Sequence, residues 1–201
     1  MTPINTLSQL DLSKQYTYAD YLTWQFDEMV ELIKGFVYKM SPGPSTYHQR
    51  IIRRVLVDIA NYLKKGKCQV FMAPYDVRLK RSFDDKEITS VVQPDICIIC
   101  NPEIIDRRGC NGAPDFILEV LSPFTSKKDV KDKFEIYQES GVKEYWMIYP
   151  GEKVLDVYIL QDGKYFLDNK YVSDSKVQLK ILPELTIDLQ EIFEDEFEEL
   201  Y

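Results

Sequence analysis

Two stretches of the sequence decide the fold: QPDICII at positions 93–99 and PDFILEVLSP at positions 114–123. Each is a short apolar run of the strand type, yet the first contains Asp95 and the second contains Glu119. Burying a carboxylate among apolar side chains is costly unless the group is paired, protonated or bound to a cation. Two such acids on candidate neighbouring strands therefore predict a divalent metal site. The alternative is a structural network in which backbone groups or an arginine neutralise them.

The periodicity of the rest of the chain surrounds these strands with further strands and helices. Residues 91–100 and 113–121 each read as one strand, and residues 81–90 and 101–112 as loops. The other expected elements are helices over 16–25, 45–64 and 126–139, a hairpin over 29–40, and strands over 68–73, 75–80, 144–149, 154–160, 164–171 and 185–189. This order predicts an α/β or α+β domain with a mixed central sheet flanked by helices.

The length of 201 residues fits one domain with a sizeable core. Residues 1–15 lack a firm pattern and are expected to be loose, residues 16–190 form the domain, and residues 191–201 form an acidic tail or helix. The sequence shows neither an apolar run of bilayer length nor a signal pattern, so we expect a soluble, cytoplasmic protein without a membrane partner.

The net charge of −8 counts against a general nucleic-acid binder. Much of that charge lies in the C-terminal stretch, and without its six carboxylates the body has a net charge near −2. Local basic clusters remain and could face phosphate, although any single cluster is more often a solvated surface. They are 50–54, 64–67, 78–81, 107–108 and 127–133.

Cys97 and Cys100 have the C-x-x-C spacing of zinc and redox sites. Both lie inside an apolar strand-like run, where an offset of three places side chains on opposite faces. No second pair follows, so the cysteines are predicted to be buried structural thiols.

Several short motifs follow one another along the chain: Glu31-Leu32-Ile33-x-Gly35, Met40-Ser41-Pro42, His48, Gln93-Pro94-Asp95, Pro114-Asp115, Glu119-Val120-Leu121-Ser122-Pro123, Asp129, Lys133, Tyr137, Gly141-Val142 and Glu144-Tyr145-Trp146. Together they resemble the Uma-two family of restriction-endonuclease-like proteins over residues 16–189. Pro94-Asp95 followed by Glu119 also resembles the PD-(D/E)-x-K nuclease superfamily. One position departs from that pattern, because the lysine expected two residues after the second acid is Leu121 here.

The resemblance implies a restriction-endonuclease-like fold and hydrolysis of DNA phosphodiester bonds by water, with Mg²⁺ or Mn²⁺ as cofactor. Hard cations of this kind prefer carboxylate oxygens. Asp95 and Glu119 would bind the metal, and Glu31 resembles the additional acid that such nucleases bring to it. Such enzymes commonly act as homodimers, since two sites cut two strands.

A lysine from the helix after the second acid can replace the missing strand lysine. On a helical wheel Val130, Phe134 and Tyr137 define the inward face, and Lys133 lies on its edge. Lys133 also matches the family position and is therefore the expected catalytic lysine. Lys127, on the other edge, is the second choice. The alternative is a lysine that extends outward to solvent.

Three further residues are second-tier candidates. His48 opens a helix and could orient a phosphate or water, although a cap or packing role is more common there. Asp115 shares strand parity with Glu119 and could point into the same site, although its position at the strand entrance favours a solvated or turn role. Asp129 lies one helical turn before Lys133 and is expected to position it.

Two other readings remain open. The first is a binding or regulatory protein on the nuclease fold with weakened or lost catalysis, which Leu121 and the net acidity favour. The second is an acidic interaction protein in which the carboxylates are only structural.

Overall fold

The computed structural model describes residues 4–40, 43–64, 66–122 and 127–194, and for residues 127–129 it describes the backbone alone. The helices are α1 (Tyr18–Tyr21), α2 (Thr46–Leu63), α3 (Lys127–Ser140) and α4 (Leu189–Phe193). The strands are β1 (Val30–Ile33), β2 (Phe36–Lys39), β3 (Gln69–Met72), β4 (Val77–Arg78), β5 (Val91–Val92), β6 (Ile96–Ile99), β7 (Ile105–Asp106), β8 (Gly109–Asn111), β9 (Phe116–Val120), β10 (Glu144–Tyr149), β11 (Val154–Gln161), β12 (Lys164–Val172), β13 (Lys176–Gln178) and β14 (Thr186–Asp188).

A six-stranded mixed sheet forms the centre of the fold, with the order β12-β11-β10-β9-β6-β3. Strands β9 and β10 run parallel, and the helix α3 connects them, as a parallel pair requires. The other neighbours in this sheet are antiparallel. This confirms the predicted mixed sheet flanked by helices.

Both faces of the central sheet are covered. On one face, alternate residues of β9 such as Phe116 and Leu118 pack against the apolar side of α2, including Ile51 and Ile59. On the other face, Ile117 packs against α3 and a second sheet. Every residue of β9 is therefore buried. A strand covered on both faces has a near-continuous apolar sequence rather than an alternating one, and Glu119 is the single charged residue of β9.

The second sheet also has six strands, in the order β2-β1-β5-β4-β8-β7. It contains two departures from the sequence-based expectation. The expected single strand over 91–100 is two strands in different sheets, because Pro94 lacks the N–H that a continuous ladder needs and the chain crosses between the sheets there. The expected loop over 101–112 contains β7 and β8, whose pairing the polar composition of the segment concealed.

Capping residues stand at the starts of the helices α1 and α2. The Ser45 side chain accepts a hydrogen bond from the His48 N–H at the start of α2, and Thr17 forms a capping box with Asp20 at the start of α1. The expected helix over 16–25 ends early, at Tyr21. After that residue the chain makes three-residue turns, such as the bond from Thr23 N to Asp20 O.

The two chain ends contain more structure than their composition indicated. Residues 4–15, expected to be loose, include a 3₁₀ turn at Leu7–Gln9 and a buried Leu10. The expected boundary at residue 190 falls inside α4, whose Ile192 and Phe193 are buried against α2. The rest of the acidic segment, residues 195–201, lies outside the described residues. Within the described ranges, no helix has the length and apolar character to cross a membrane.

The cysteine prediction was wrong for two of the four residues, because Cys68 and Cys100 form a disulfide. Strand β3 pairs with β6 through Gln69 and Ile99, so Cys68 and Cys100 face each other one step further along the ladder. Cys97 and Cys110 are buried thiols, as predicted.

The packing of α2 allows a first prediction about stability. Ile59→Ala should lower the free energy of unfolding by about 2–5 kcal/mol, because Ile59 is fully buried and its truncation leaves a cavity. Val57→Ala, at a half-exposed position on the same helix, should change it by less than about 0.5 kcal/mol. Urea denaturation of both variants measures the difference. Equal losses would contradict the described orientation of α2.

Candidate functional site

The register of β6 and β9 brings the two acids of the sequence prediction together. Ile96 pairs with Leu118 in this antiparallel ladder, so one further step places Asp95 opposite Glu119. Residues opposite each other in an antiparallel pair have Cβ atoms about 5 Å apart. The expectation that the two acids lie on neighbouring strands is therefore confirmed.

The Asp95 carboxylate is held by two elements. One oxygen, Oδ2, accepts a 2.7 Å hydrogen bond from the Val120 N–H on β9. The other, Oδ1, lies 3.3 Å from His48 Nε2 on the first turn of α2. Ser45 fixes the start of this helix, so the cap indirectly positions the imidazole. The structure thus places His48, a second-tier candidate, in direct contact with Asp95, a primary site residue.

Glu119 is buried and accepts hydrogen bonds from two side chains of α3. Lys133 Nζ and the Tyr137 hydroxyl donate to its Oε1 over 3.0 and 2.7 Å. The inward face predicted for α3 is confirmed, since Tyr137 and Ile136 are buried and Phe134 packs beside them. Lys133 does not extend outward to solvent, because its side chain is only 16% exposed.

Glu31 enters the same cluster from the second sheet. Its Oε1 lies 3.0 Å from Lys133 Nζ and accepts a 2.8 Å hydrogen bond from the Gln93 N–H. The ammonium of Lys133 therefore lies between Glu31 and Glu119, and the two contacted oxygens are at most about 6 Å apart, twice the 3.0 Å contact. This shared contact joins the two sheets at the site.

The electrostatics of this cluster follow from burial and from the shared lysine. The pKa of Glu119 is raised to about 7, mainly by burial; the Lys133 charge acts to lower it, and the charges of Asp95 and Glu31 act to raise it. Burial alone would lower the pKa of Lys133, but the charges of Glu119 and Glu31 outweigh that effect and the pKa lies above its usual value. The ammonium therefore stays charged.

Asp115 is at the wrong end of its strand for the site. It shares strand parity with Glu119 as predicted, but four residues of β-strand separate the two by about 13 Å. Its carboxylate instead accepts hydrogen bonds from the Cys100 N–H and Lys143 Nζ. The other two second-tier candidates, Asp129 and Lys127, have side chains outside the described residues.

Two groups at the site were missed as contributors. Tyr137 was assigned only to the inward face of α3, although a tyrosine one turn after a site lysine, on the same face, could have indicated a contact with the acid. The main-chain N–H of Gln93 carries no sequence signal, because a backbone donor exists at every residue except proline.

The donor chemistry of the site fits a divalent cation, since three carboxylates carry more negative charge than Lys133 compensates. Among the described residues, however, no three metal-ligating side chains are already gathered around one point. The Lys133 ammonium occupies the space between two of the three acids, Glu31 and Glu119. A cation between Asp95 and Glu119 stays a prediction.

Mixed sheets flanked by helices, with an acid pair at the adjoining ends of two strands and a lysine beside it, define a restriction-endonuclease-like fold. A crystal structure of "a putative nuclease belonging to DUF820" from Anabaena variabilis ATCC 29413 superimposes with a TM-score of 0.64 and 22% identity, covering 89% of this chain and 97% of that one. At that identity the likeness concerns the fold.

The family model of Uma2, described as "Putative restriction endonuclease", matches residues 18–190. The chain therefore belongs to the Uma2 family. "Uncharacterized protein slr1290" from Synechocystis sp. (strain ATCC 27184 / PCC 6803 / Kazusa) is 26% identical over 133 residues, which cover 64% of this chain and 65% of that protein. The match thus spans about two thirds of each protein.

The ion-pair cluster predicts a pH-dependent loss of stability in Lys133→Met. Without the ammonium, Glu31 and Glu119 are buried without a counter-charge, and at pH 8.5 the loss should be about 3 kcal/mol or more. The loss should be smaller at pH 5. Glu119 has a raised pKa, so the folded state holds its proton more tightly than the unfolded state, and this difference stabilises the fold only at low pH.

Urea denaturation of wild type and Lys133→Met at both pH values measures this effect. The double variant Lys133→Met/Glu119→Gln should recover part of the stability at pH 8.5, because one of the two unpaired charges is gone. A loss that is independent of pH would contradict the described contacts of Lys133.

Proposed function

We propose that the protein is a metal-dependent endonuclease that hydrolyses DNA phosphodiester bonds with water as the nucleophile. One observation carries this proposal: Asp95 and Glu119 face each other at the adjoining ends of two strands, and Lys133 contacts Glu119 in place of the missing strand lysine. Family membership supports it, because the Uma2 description reads "Putative restriction endonuclease".

Asp95, Glu119 and Glu31 are the proposed ligands of Mg²⁺ or Mn²⁺, since all three offer hard oxygen donors. A bound ion of this kind lowers the pKa of a coordinated water and neutralises charge on the phosphate. The Tyr137 hydroxyl holds Oε1 of Glu119, and the Val120 N–H holds Oδ2 of Asp95. These two bonds fix the direction of the remaining oxygen of each carboxylate.

Lys133 has two proposed tasks. In the metal-free protein its ammonium contacts one oxygen each of Glu31 and Glu119 and compensates part of their charge. With a divalent ion held by the acids, the ammonium would be available to contact the scissile phosphate, where it would stabilise the additional negative charge of the transition state. Leu121 then no longer argues against activity, because α3 supplies the cation that the strand lacks.

The substrate and assembly proposals come from the family likeness. DNA is the proposed substrate despite the net charge of −8, because the family description is that of a restriction endonuclease. A homodimer would place one site on each strand of the DNA duplex. A cytoplasmic location stays a prediction from the sequence, and the Cys68–Cys100 bond counts against it, since disulfides persist mainly in oxidising compartments.

Cleavage assays test the catalytic proposal. With supercoiled plasmid or single-stranded DNA and Mg²⁺ or Mn²⁺, Asp95→Asn, Glu119→Gln and Lys133→Met should each lose about 100-fold or more in rate, because each removes a ligand or a transition-state charge. Asp115→Asn is the matched control, an acid on the same strand whose carboxylate contacts Lys143 instead, and should stay within about twofold of wild type.

Cleavage that survives both Asp95→Asn and Lys133→Met would rule out the assigned site. Absence of cleavage in the wild type, together with Mn²⁺ binding that Asp95→Asn abolishes, would instead support a binding or regulatory protein on this fold.

Metal affinity should depend on pH through Glu119. Its pKa of about 7 means that a proton competes with the metal below that value. The Mn²⁺ association constant should therefore rise about tenfold between pH 6 and pH 8 and then level off. Titration of the wild type by Mn²⁺ electron paramagnetic resonance measures the rise, and Glu119→Gln should show a weaker and flatter dependence. An unchanged slope in that variant would assign the proton to another group.

A further inference from the structure

A polar cluster lies on the far side of the second sheet from the proposed metal site. The two faces of this sheet pack against different apolar clusters. Ile33, Val77 and Val92 pack on the side of Tyr137, whereas Leu32 and Val91 pack on the side of Tyr18. Glu31 reaches Lys133 on the first side.

Asp76 and Gln93 belong to the second side of the sheet. Gln93 Nε2 donates a 2.8 Å hydrogen bond to Asp76 Oδ1. The Tyr18 and Tyr21 side chains of α1 pack on this same side of the sheet. These residues contact neither Lys133 nor Glu119, so the proposed chemistry leaves them without a role.

Gln93 connects the two sides of the sheet. Its side chain is fixed by Asp76 on the α1 side, while its main-chain N–H donates to Glu31 Oε1 on the metal side. Asp76 itself is anchored by a backbone bond from Cys110 N to its carbonyl oxygen. A continuous set of hydrogen bonds thus runs from β8 through Asp76 and Gln93 to the Glu31 carboxylate.

The position of Gln93 in the chain extends its influence to a second acid. Residues 93–95 form the crossing between β5 in one sheet and β6 in the other, and Asp95 is the last residue of that crossing. A rotation of Gln93 would therefore move its N–H, which donates to Glu31. It would also move the Asp95 carboxylate, which lies two residues later in the chain. The Gln93 Oε1 atom is buried without a hydrogen-bond partner. The bond from Gln93 Nε2 to Asp76 Oδ1 is therefore the side-chain hydrogen bond that fixes the orientation of this amide.

We propose that Asp76 and the Gln93 side chain are positioning residues that orient the Glu31 and Asp95 carboxylates for metal binding from the opposite face of the sheet. This inference rests on the proposed function, in which those two acids are ligands. Asp76 and Gln93 are not ligands themselves. They act through the Gln93 N–H and through the crossing segment.

The test compares Mn²⁺ affinity and DNA cleavage in the full-length protein for Gln93→Leu and Asp76→Leu. Loss of a residue that orients a metal ligand typically weakens metal binding about tenfold. We expect this loss of Mn²⁺ affinity in both variants. At saturating metal, kcat should fall by less than tenfold, and the KM for DNA should be unchanged. Asn111→Leu is the control, because Asn111 is also a buried amide in this sheet but hydrogen-bonds only the Ser82 backbone.

A reversed pair separates positioning from stability. In Asp76→Asn/Gln93→Glu the amide and carboxylate exchange places, so a hydrogen bond of the opposite direction can form. Gln93→Glu alone places two carboxylates against each other. The double variant should recover most of the Mn²⁺ affinity that Gln93→Glu loses, and thermal unfolding of all variants provides the stability reference.

The outcomes are distinct. If Glu31→Gln weakens Mn²⁺ binding while Gln93→Leu and Asp76→Leu match Asn111→Leu, the positioning role is overturned and the metal site stands. If Glu31→Gln leaves both Mn²⁺ binding and cleavage unchanged, Glu31 is not a ligand and the positioning role is overturned, whereas the endonuclease proposal is overturned by cleavage that survives Asp95→Asn and Lys133→Met. Recovery in the reversed pair, with affinity losses larger than those of Asn111→Leu, supports the positioning role.

Discussion

The structure depends on the contact of one ammonium group with two buried carboxylates. Lys133 comes from α3, Glu119 from the central sheet and Glu31 from the second sheet, so a single side chain joins three parts of the fold. Without that charge, two carboxylates would lie in the interior without a counter-charge, which is costly. The same contact gives the proposed enzyme a metal-free state in which Glu31 and Glu119 share one counter-charge.

The fold arranges polar groups around this contact in two ways. Near the site, Tyr137, Val120 N–H and His48 fix the carboxylates of Glu119 and Asp95 directly. Behind the second sheet, Asp76 accepts a hydrogen bond from the side chain of Gln93, which begins the segment that carries Asp95. Pro94 makes the second arrangement possible, because the chain must leave one sheet and enter the other at that point. The site therefore lies where the two sheets meet.

The sequence was informative wherever one physical rule acted locally. The hairpin expected over 29–40 formed as β1 and β2, and strand-borne Asp95 and Glu119 stood out against apolar neighbours. The helical wheel placed Lys133 and Lys127 on the two edges of the inward face of α3, because that face follows from a fixed rotation per residue, and the family resemblance favoured Lys133. Prediction failed for β7, β8 and the Cys68–Cys100 bond, since these depend on which distant segments pair.

The sequence by itself determined the mixed sheet flanked by helices, the placement of Asp95 and Glu119 on neighbouring strands, and the inward face of α3. Only the tertiary structure decided which oxygens meet, because strand register and the distance between two sheets are set by packing over the whole chain. It placed Asp115 about 13 Å from Glu119 despite their shared parity. It also showed that the Lys133 ammonium lies between Glu31 and Glu119, because only the packing of α3 against both sheets brings these three side chains together.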